Sequence, residues 1–252
     1  VSGGPGSDGP AVALRWSGDE VQQTFSSFVA MHASGTVDEL MEAHRKWTSH
    51  TNRVLADTAG NIGYLLSGQL PIRKGGPAHF PVPGWTGEHE WVDEVPFEEM
   101  PRVVTPPNHF VNTSNNLIVS YDFPHYVAPA GNPYRAQRVA QMITESSSIT
   151  IDDFARMQGD NFNIPGERMA RRVSSVEPST EAGRKARDIL ATWDGFQGRD
   201  TGGGAVYEVL RWKLYELTLG RLRNWMPDPK PNHDSLRVHM VAVQELIVAD
   251  DN

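Results

Sequence analysis

Five consecutive residues, Asn112-Thr113-Ser114-Asn115-Asn116, concentrate the groups in this chain that could do chemistry. Three side-chain amides and two hydroxyls are costly to bury unless each finds a hydrogen-bond partner. Two readings compete. The segment can be an Asx turn, in which the short polar side chains bond their own backbone. Alternatively, one amide N–H can point at negative charge developing on a carbonyl oxygen, the task of an oxyanion hole. Arg135 carries a similar ambiguity. It can close an ion pair, or it can orient a carboxylate or amide beside a reacting group.

Other chemistries find little support. The 252 residues contain no cysteine, which excludes disulfides, Fe–S ligation and thiol catalysis. The nine histidines form no H-x-x-x-H pair on a predicted helix, and His32 and His44 read as helix-surface residues. Phosphate-binding loops and the G-x-S-x-G elbow are absent from the sequence. Gly202-Gly203-Gly204 lacks a following Lys-Ser/Thr and reads as a helix lead-in. Glu98/Glu99 and Asp152/Asp153 are sequence neighbours, so neither pair shares one face as a glycosidase pair must. With 23 basic and 31 acidic residues the formal charge is -8, and no long basic run suggests nucleic-acid binding. Apolar runs break before the roughly twenty residues of a membrane span. Residues 1–10 are rich in Gly, Pro and Ser and are read as a flexible start, as of a processed product, a fragment or a linker.

The elements that must position these groups follow from periodicity. Residues 11–16 suggest a strand, and Val21, Phe25, Phe28 and Val29 share a helical face. Thr36 with Glu39 predicts a capped helix running to Trp47, with Leu40, Ala43 and Trp47 inward. Residues 54–57 and 62–66 flank a turn at Gly60, which predicts a β-hairpin. The proline-rich stretch 71–108 cannot be a central strand and is expected as a rigid surface loop anchored by Trp85 and Trp91. Residues 109–112 read as a strand running into the Asn segment. Helices are predicted over 134–143, from the Thr150/Asp153 cap to Gly159, over 179–193, over 206–222 and over 236–248. The fold class is therefore α+β. Its expected organisation is a flexible start (1–10), a sheet-containing core with the Pro/Trp-rich loop and the Asn segment (11–145), and a helical lobe (146–252).

Several segments, in order, carry a resemblance. They are Arg15-Trp16-Ser17-Gly18, residues 55–64 (LADTAGNIGY), residues 81–87 (PVPGWTG), Glu90-Trp91, Pro96-Phe97, Asn115-Asn116, residues 133–138 (PYRAQR), Gln158-Gly159-Asp160 and Trp193-Asp194-Gly195. Together they resemble the β chain of the penicillin acylase family of N-terminal nucleophile hydrolases. The resemblance implies a partial αββα sandwich with a mainly helical lobe, and an amidohydrolase that cleaves a linear amide, a β-lactam side chain or another N-acyl compound. In that family a precursor cleaves itself to expose a β-chain Ser. Its hydroxyl attacks the amide carbonyl while its own α-amino group serves as base, and an acyl-enzyme forms. The resemblance makes Asn115 the oxyanion-hole amide and Arg135 the residue orienting the amino terminus and that Asn. Asn116 and Arg138 become supporting residues.

The resemblance also implies what must come from elsewhere. Ser2 follows Val1 and so has no free α-amino group, which leaves the nucleophile to another segment. The partners expected are an acylase α chain, the remaining β-chain segments and a small-molecule amide, with no nucleic acid and no membrane. No cofactor is required for the chemistry. The structural calcium usual in these acylases would lack its upstream ligands, with Val127 where a carboxylate is expected and Asp122 the nearest substitute. A periplasmic or secreted location follows by resemblance, and the chain alone is expected to be inactive. The alternative is a non-catalytic binding or assembly module that retains the acylase scaffold.

Overall fold

The computed structural model describes residues 11–19, 21–76, 80–127, 131–222 and 240–249. They form two compact units, Val1–Pro133 and Tyr134–Asn252.

The first unit contains helices α1 (Val21–Ala33) and α2 (Val37–Ala43) and strands β1 (Thr51–Ala56), β2 (Ile62–Ser67), β3 (Pro71–Arg73), β4 (Trp91–Glu94) and β5 (Arg102–Val104). Thr36 caps α2 as expected, its hydroxyl accepting the Glu39 N–H at 3.2 Å. Glu39 in turn accepts from the Gly35 N–H at 2.7 Å. The helix ends at Ala43, short of Trp47, and its inward residues are Val37, Met41 and His44 rather than the predicted Leu40, Ala43 and Trp47. Those three sit at i, i+4 and i+7, one stripe of the helix.

The predicted hairpin is present. β1 and β2 are antiparallel, with Thr51 opposite Ser67 and Ala56 opposite Ile62. Gly60 sits at φ 89°, a left-handed turn position that favours glycine. Asp57 accepts the N–H groups of Ala59 and Asn61 and, from α2, the N–H of Val37. One carboxylate thereby joins the turn to the helix start.

β2 is the centre of a three-stranded sheet ordered β1-β2-β5 and is buried from Gly63 to Ser67. Its two faces do different work. Gly63 leaves room for α2, because a Cβ there would lie 2.7 Å from Met41 Cε and Val37 Cγ1. The period of two puts Leu65 on that same helix-covered face. Tyr64 and Leu66 take the opposite face, over which residues 108–127 are laid. Val111, Ile118, Phe123 and Val127 pack on the core formed by Tyr64, Leu65, Leu66, Leu70, Val95 and Met100.

Further expectations change in this unit. Residues 11–16 form no strand among the described residues; a 3-10 turn follows at Ser17–Asp19, and Leu14 and Trp16 are exposed. The proline-rich stretch supplies strands after all, but as edges: β5 flanks β2, and β3 pairs with β4 in a separate two-stranded sheet. Pro71 takes the first position of its strand, where a missing N–H does least harm. Trp85 anchors nothing, at 88% exposure, whereas Trp91 lies under the guanidinium groups of Arg15 (4.6 Å) and Arg73 (5.5 Å). Residues 109–112 form no strand, since His109 at φ 60° breaks extended pairing.

The second unit is helical: α3 (Tyr134–Thr144), α4 (Ile151–Gln158), α5 (Ile164–Ser174), α6 (Glu181–Ala191), α7 (Gly202–Leu217), α8 (Leu219–Leu222) and α9 (Met240–Ala249). The Thr150/Asp153 capping box opens α4 as predicted. α5 was not predicted, although Asn163 as cap and Pro165 in the first turn mark its start. Met169 and Ala170 of α5 meet Leu190 of α6 and Tyr207 of α7 in the core. Gly202-Gly203-Gly204 is the first turn of α7, and Gly203 lies against the Trp193 indole, which stacks on Tyr207 at 5.6 Å. The predicted helix over 236–248 is described from Met240 onward; Pro227, Pro229 and Pro231 lie outside the described residues.

Candidate active site

The Asn segment lies on the Tyr64/Leu66 face of the central strand. Asn115 has φ 61°, the left-handed region that costs most residues energy and that Asn tolerates better than other non-glycine types. Asn116 locks the turn. Its Oδ1 accepts the Ser114 N–H at 3.1 Å, and its Nδ2 donates to the Leu117 carbonyl at 3.0 Å. Asn116 thus bonds the backbone on either side of itself, with Asn115 inside the stretch it holds. Thr113 Oγ1 is buried without a hydrogen-bond partner among the described residues.

Asn115 and Asn116 line a cleft of about 320 Å³ with Asn52 of β1, Leu66 of β2 and Arg73 of β3. Small-molecule sites span about 300–1,000 Å³, so this cleft is at the small end. Asn52 is held by the Tyr64 hydroxyl, which donates to its Oδ1 at 2.5 Å. Burial pushes the Tyr64 hydroxyl pKa up and keeps it a donor. Gly131 closes on the back of the turn: a Cβ there would stand 3.0 Å from the Asn115 carbonyl oxygen. A second cleft, of about 660 Å³, shares Asn116, Leu117, Tyr126 and Val127 with the first and is lined further by Phe123 and Pro124.

Arg135 and Arg138 belong to α3, the first helix of the second unit. Arg135 is exposed. Arg138 is mostly buried and spans Asp160 with two hydrogen bonds, 3.0 Å from Nε and 2.8 Å from Nη2, while its guanidinium lies 4.7 Å from the Phe162 ring. The Arg138 hydrogen bond holds the Asp160 carboxyl below the usual carboxylate range against the opposing effect of burial. Arg138 thus ties α3 to the α4–α5 connection.

The expected calcium ligands do not fit a metal. Asp122 is exposed and accepts from the Ser120 hydroxyl, and Val127 packs on the core. Among the described residues no three His, Asp or Glu side chains gather as a metal site. No helix among them is long and apolar enough to cross a membrane.

Sequence reasoning missed Asn52, Arg73 and Gly131. Asn52 had a usable signal, a polar residue at the entry of an otherwise apolar strand. Arg73, in the cleft wall, and Gly131, behind the turn, had none, because each reaches its place only through folding.

The penicillin amidase family model matches residues 1–251, and the chain belongs to that family. Over 207 residues it is 33% identical to the penicillin acylase 2 proenzyme of Pseudomonas sp. (strain SE83), covering 80% of this chain and 26% of that protein. Over 222 residues it is 26% identical to the acyl-homoserine lactone acylase QuiP of Pseudomonas aeruginosa, covering 81% of this chain and 26% of that protein. The thermostable penicillin G acylase from Alcaligenes faecalis superposes with a TM-score of 0.58 at 14% identity, over 94% of this chain and 53% of the other. That likeness establishes a mixed sheet-and-helix fold of the penicillin G acylase kind. The chain spans about a quarter of the length of the curated relatives it matches.

Proposed function

We propose that this chain is a β-chain segment of an amidohydrolase that cleaves a linear amide through an acyl-enzyme, with the nucleophile supplied from outside it. The observation carrying this reading is Asn115, whose backbone is turned to φ 61° and whose residue lines a small cleft. An amide N–H in such a place suits an oxyanion, because a preorganised donor needs no rearrangement as charge develops.

In this mechanism an N-terminal Ser hydroxyl attacks the substrate carbonyl and its own α-amino group takes the proton. The carbonyl oxygen becomes an oxyanion and accepts from Asn115 Nδ2 and from a backbone N–H of another segment. The amine leaves with the proton, and water then releases the acid from the acyl-enzyme. Asn116 braces the turn that carries Asn115. Arg135 orients the amino terminus of the nucleophile, and Arg138 supports the helix from which Arg135 projects. The partners are an acylase α chain and the rest of the β chain, in a periplasmic or secreted enzyme.

The test is turnover of a chromogenic phenylacetyl or fatty-acyl anilide by the full-length protein and its Asn115→Gly variant. Glycine accepts a positive φ without strain, so this change removes the amide while leaving the backbone of the turn unstrained. Expected is a fall in kcat of about 10²–10³ with an unchanged thermal midpoint. Turnover within threefold of wild type would sink the assignment of Asn115 and favour a scaffold that only binds. The chain by itself is expected to show no turnover.

A further inference from the structure

We infer that the junction of α1, α2 and the β1–β2 hairpin binds a small inorganic anion of halide size, taken up together with a proton on His44. The junction lies on the helix-covered face of the sheet, opposite the cleft beside Asn115, and the inference does not depend on the amidase reading.

Three buried polar atoms here meet no partner among the described residues: Ser27 Oγ on α1, His44 Nε2 at the end of α2 and Arg53 Nη2 on β1. Ser27 and His44 are each 2% exposed. Hairpin register sets Arg53 opposite Leu65, on the helix-covered face, whereas Asn52 opposite Leu66 belongs to the cleft. Arg53 Nε donates to the buried Ser67 hydroxyl at 3.3 Å, and the guanidinium lies 4.2 Å from the Trp47 ring. His44 lies against the same indole, with ring centroids 6.0 Å apart. The Thr24 and Thr48 hydroxyls, 2.8 Å apart, tie α1 to the α2–β1 connection, and Ser27 follows Thr24 by three residues on that face of α1.

Charge at this junction is one-sided. Neither α1, β1 nor β2 contains an Asp or Glu. On α2, Glu42 pairs with Arg45, while Asp38 and Glu39 stand at the far end of the helix. The other titratable groups nearby, His32, Arg45 and Lys46, are exposed. Burial lowers the Arg53 pKa, and no carboxylate among the described residues opposes it. A cation drawn out of water needs a counter-charge. Because Nη2 is enclosed, an ion that fits among side chains can supply that charge, whereas a segment of another chain cannot reach it.

His44 links this binding to pH. Its Nδ1 donates to the Leu40 carbonyl at 2.6 Å, so Nε2 of the neutral ring is an acceptor and faces an anion unfavourably. Burial, opposed by the bond to Leu40 and reinforced by the Arg53 charge, holds His44 below the usual imidazole range. An anion held by Arg53 and Ser27 offsets that charge and favours a proton on Nε2, which then donates to the anion. Anion and proton therefore raise each other's affinity by the same factor.

The experiment uses the full-length protein with chloride as the probe. Thermal midpoints are compared in sodium chloride and sodium gluconate of equal ionic strength, at about pH 6 and pH 8, and the chloride-specific rise gives an apparent Kd by mass action. Expected is chloride binding at least about tenfold tighter at the lower pH, because a proton accompanies the anion. Arg53→Gln should abolish the chloride effect at both pH values. His44→Gln, which keeps a neutral N–H donor, should retain the effect and lose its pH dependence. In crystals soaked in sodium bromide, anomalous scattering should place bromide in hydrogen-bond contact with Arg53 Nη2 and Ser27 Oγ. Equal midpoints in the two salts, a wild-type chloride effect that ignores pH, an undiminished effect in Arg53→Gln, or water alone at the junction in the bromide crystals would each overturn the inference. Should Arg53→Gln fail to fold, the wild-type salt comparison and the bromide map decide by themselves.

Discussion

Replacing Arg138 by Met should destabilise the protein by about 2–4 kcal/mol at pH 7. The side chains of Arg138 and Asp160 are 17% and 12% exposed, and two hydrogen bonds of 3.0 and 2.8 Å join them. Methionine keeps much of the bulk but removes the charge and both bonds. Asp160 would then keep the Phe162 N–H, 3.2 Å from its Oδ1, as its remaining donor. Stranding a fully buried carboxylate costs about 3–5 kcal/mol, and the partial access of water to this pair lowers the figure. For a chain of this size the loss corresponds to a fall of about 5–15 °C in thermal midpoint.

The pH dependence gives a sharper check. Arg138 keeps the folded-state pKa of Asp160 below its unfolded value. The contribution of the pair is therefore fully present above the unfolded pKa of about 3.9 and is lost as pH falls through the folded pKa. In the variant the stranded carboxylate is instead raised by burial, so protonation relieves it. The stability gap between wild type and Arg138→Met must shrink as pH falls from 7 towards 3. Urea unfolding followed by circular dichroism at several pH values measures this. A gap below about 0.5 kcal/mol at pH 7, or one that does not narrow in acid, would refute the reasoning.

Two further substitutions test packing. Gly203→Ala would set a Cβ 2.2 Å from Trp193 Cγ, and the indole is held by its stack on Tyr207. The usual helix gain from alanine should be reversed to a net loss of about 1–3 kcal/mol in urea unfolding. Gly131→Val would press on the Asn115 carbonyl oxygen from 3.0 Å and shift the turn. Amide turnover by the full-length protein is expected to fall at least about tenfold with little change in thermal midpoint, since small displacements of a catalytic group are costly.

Local signals carried much of the architecture. Thr36, Thr150 and Gly60 marked a helix start, a capping box and a hairpin turn because each acts through bonds to its own neighbours. The Asn segment was legible as a group of costly polar residues, and the family resemblance singled out Asn115. Failures came where distant contacts decide. The spacing of Leu40, Ala43 and Trp47 pointed to one face of α2, while Gly63 admits the helix through Val37 and Met41 instead. The prolines argued against a central strand and for a surface loop, yet β3 and β5 form at edges where a lost donor is tolerated.

By itself, then, the sequence determined the family, the hairpin and most of the helices, and it marked Asn115 as the residue to watch. Only the tertiary structure decided that Asn115 is turned to a left-handed backbone by a loop laid across β2, beside Asn52 and Arg73. The physical reason is range. Capping and turn formation depend on residues a few positions apart, whereas a cleft is assembled by strand pairing and side-chain packing between segments whose spacing along the chain carries no such signal.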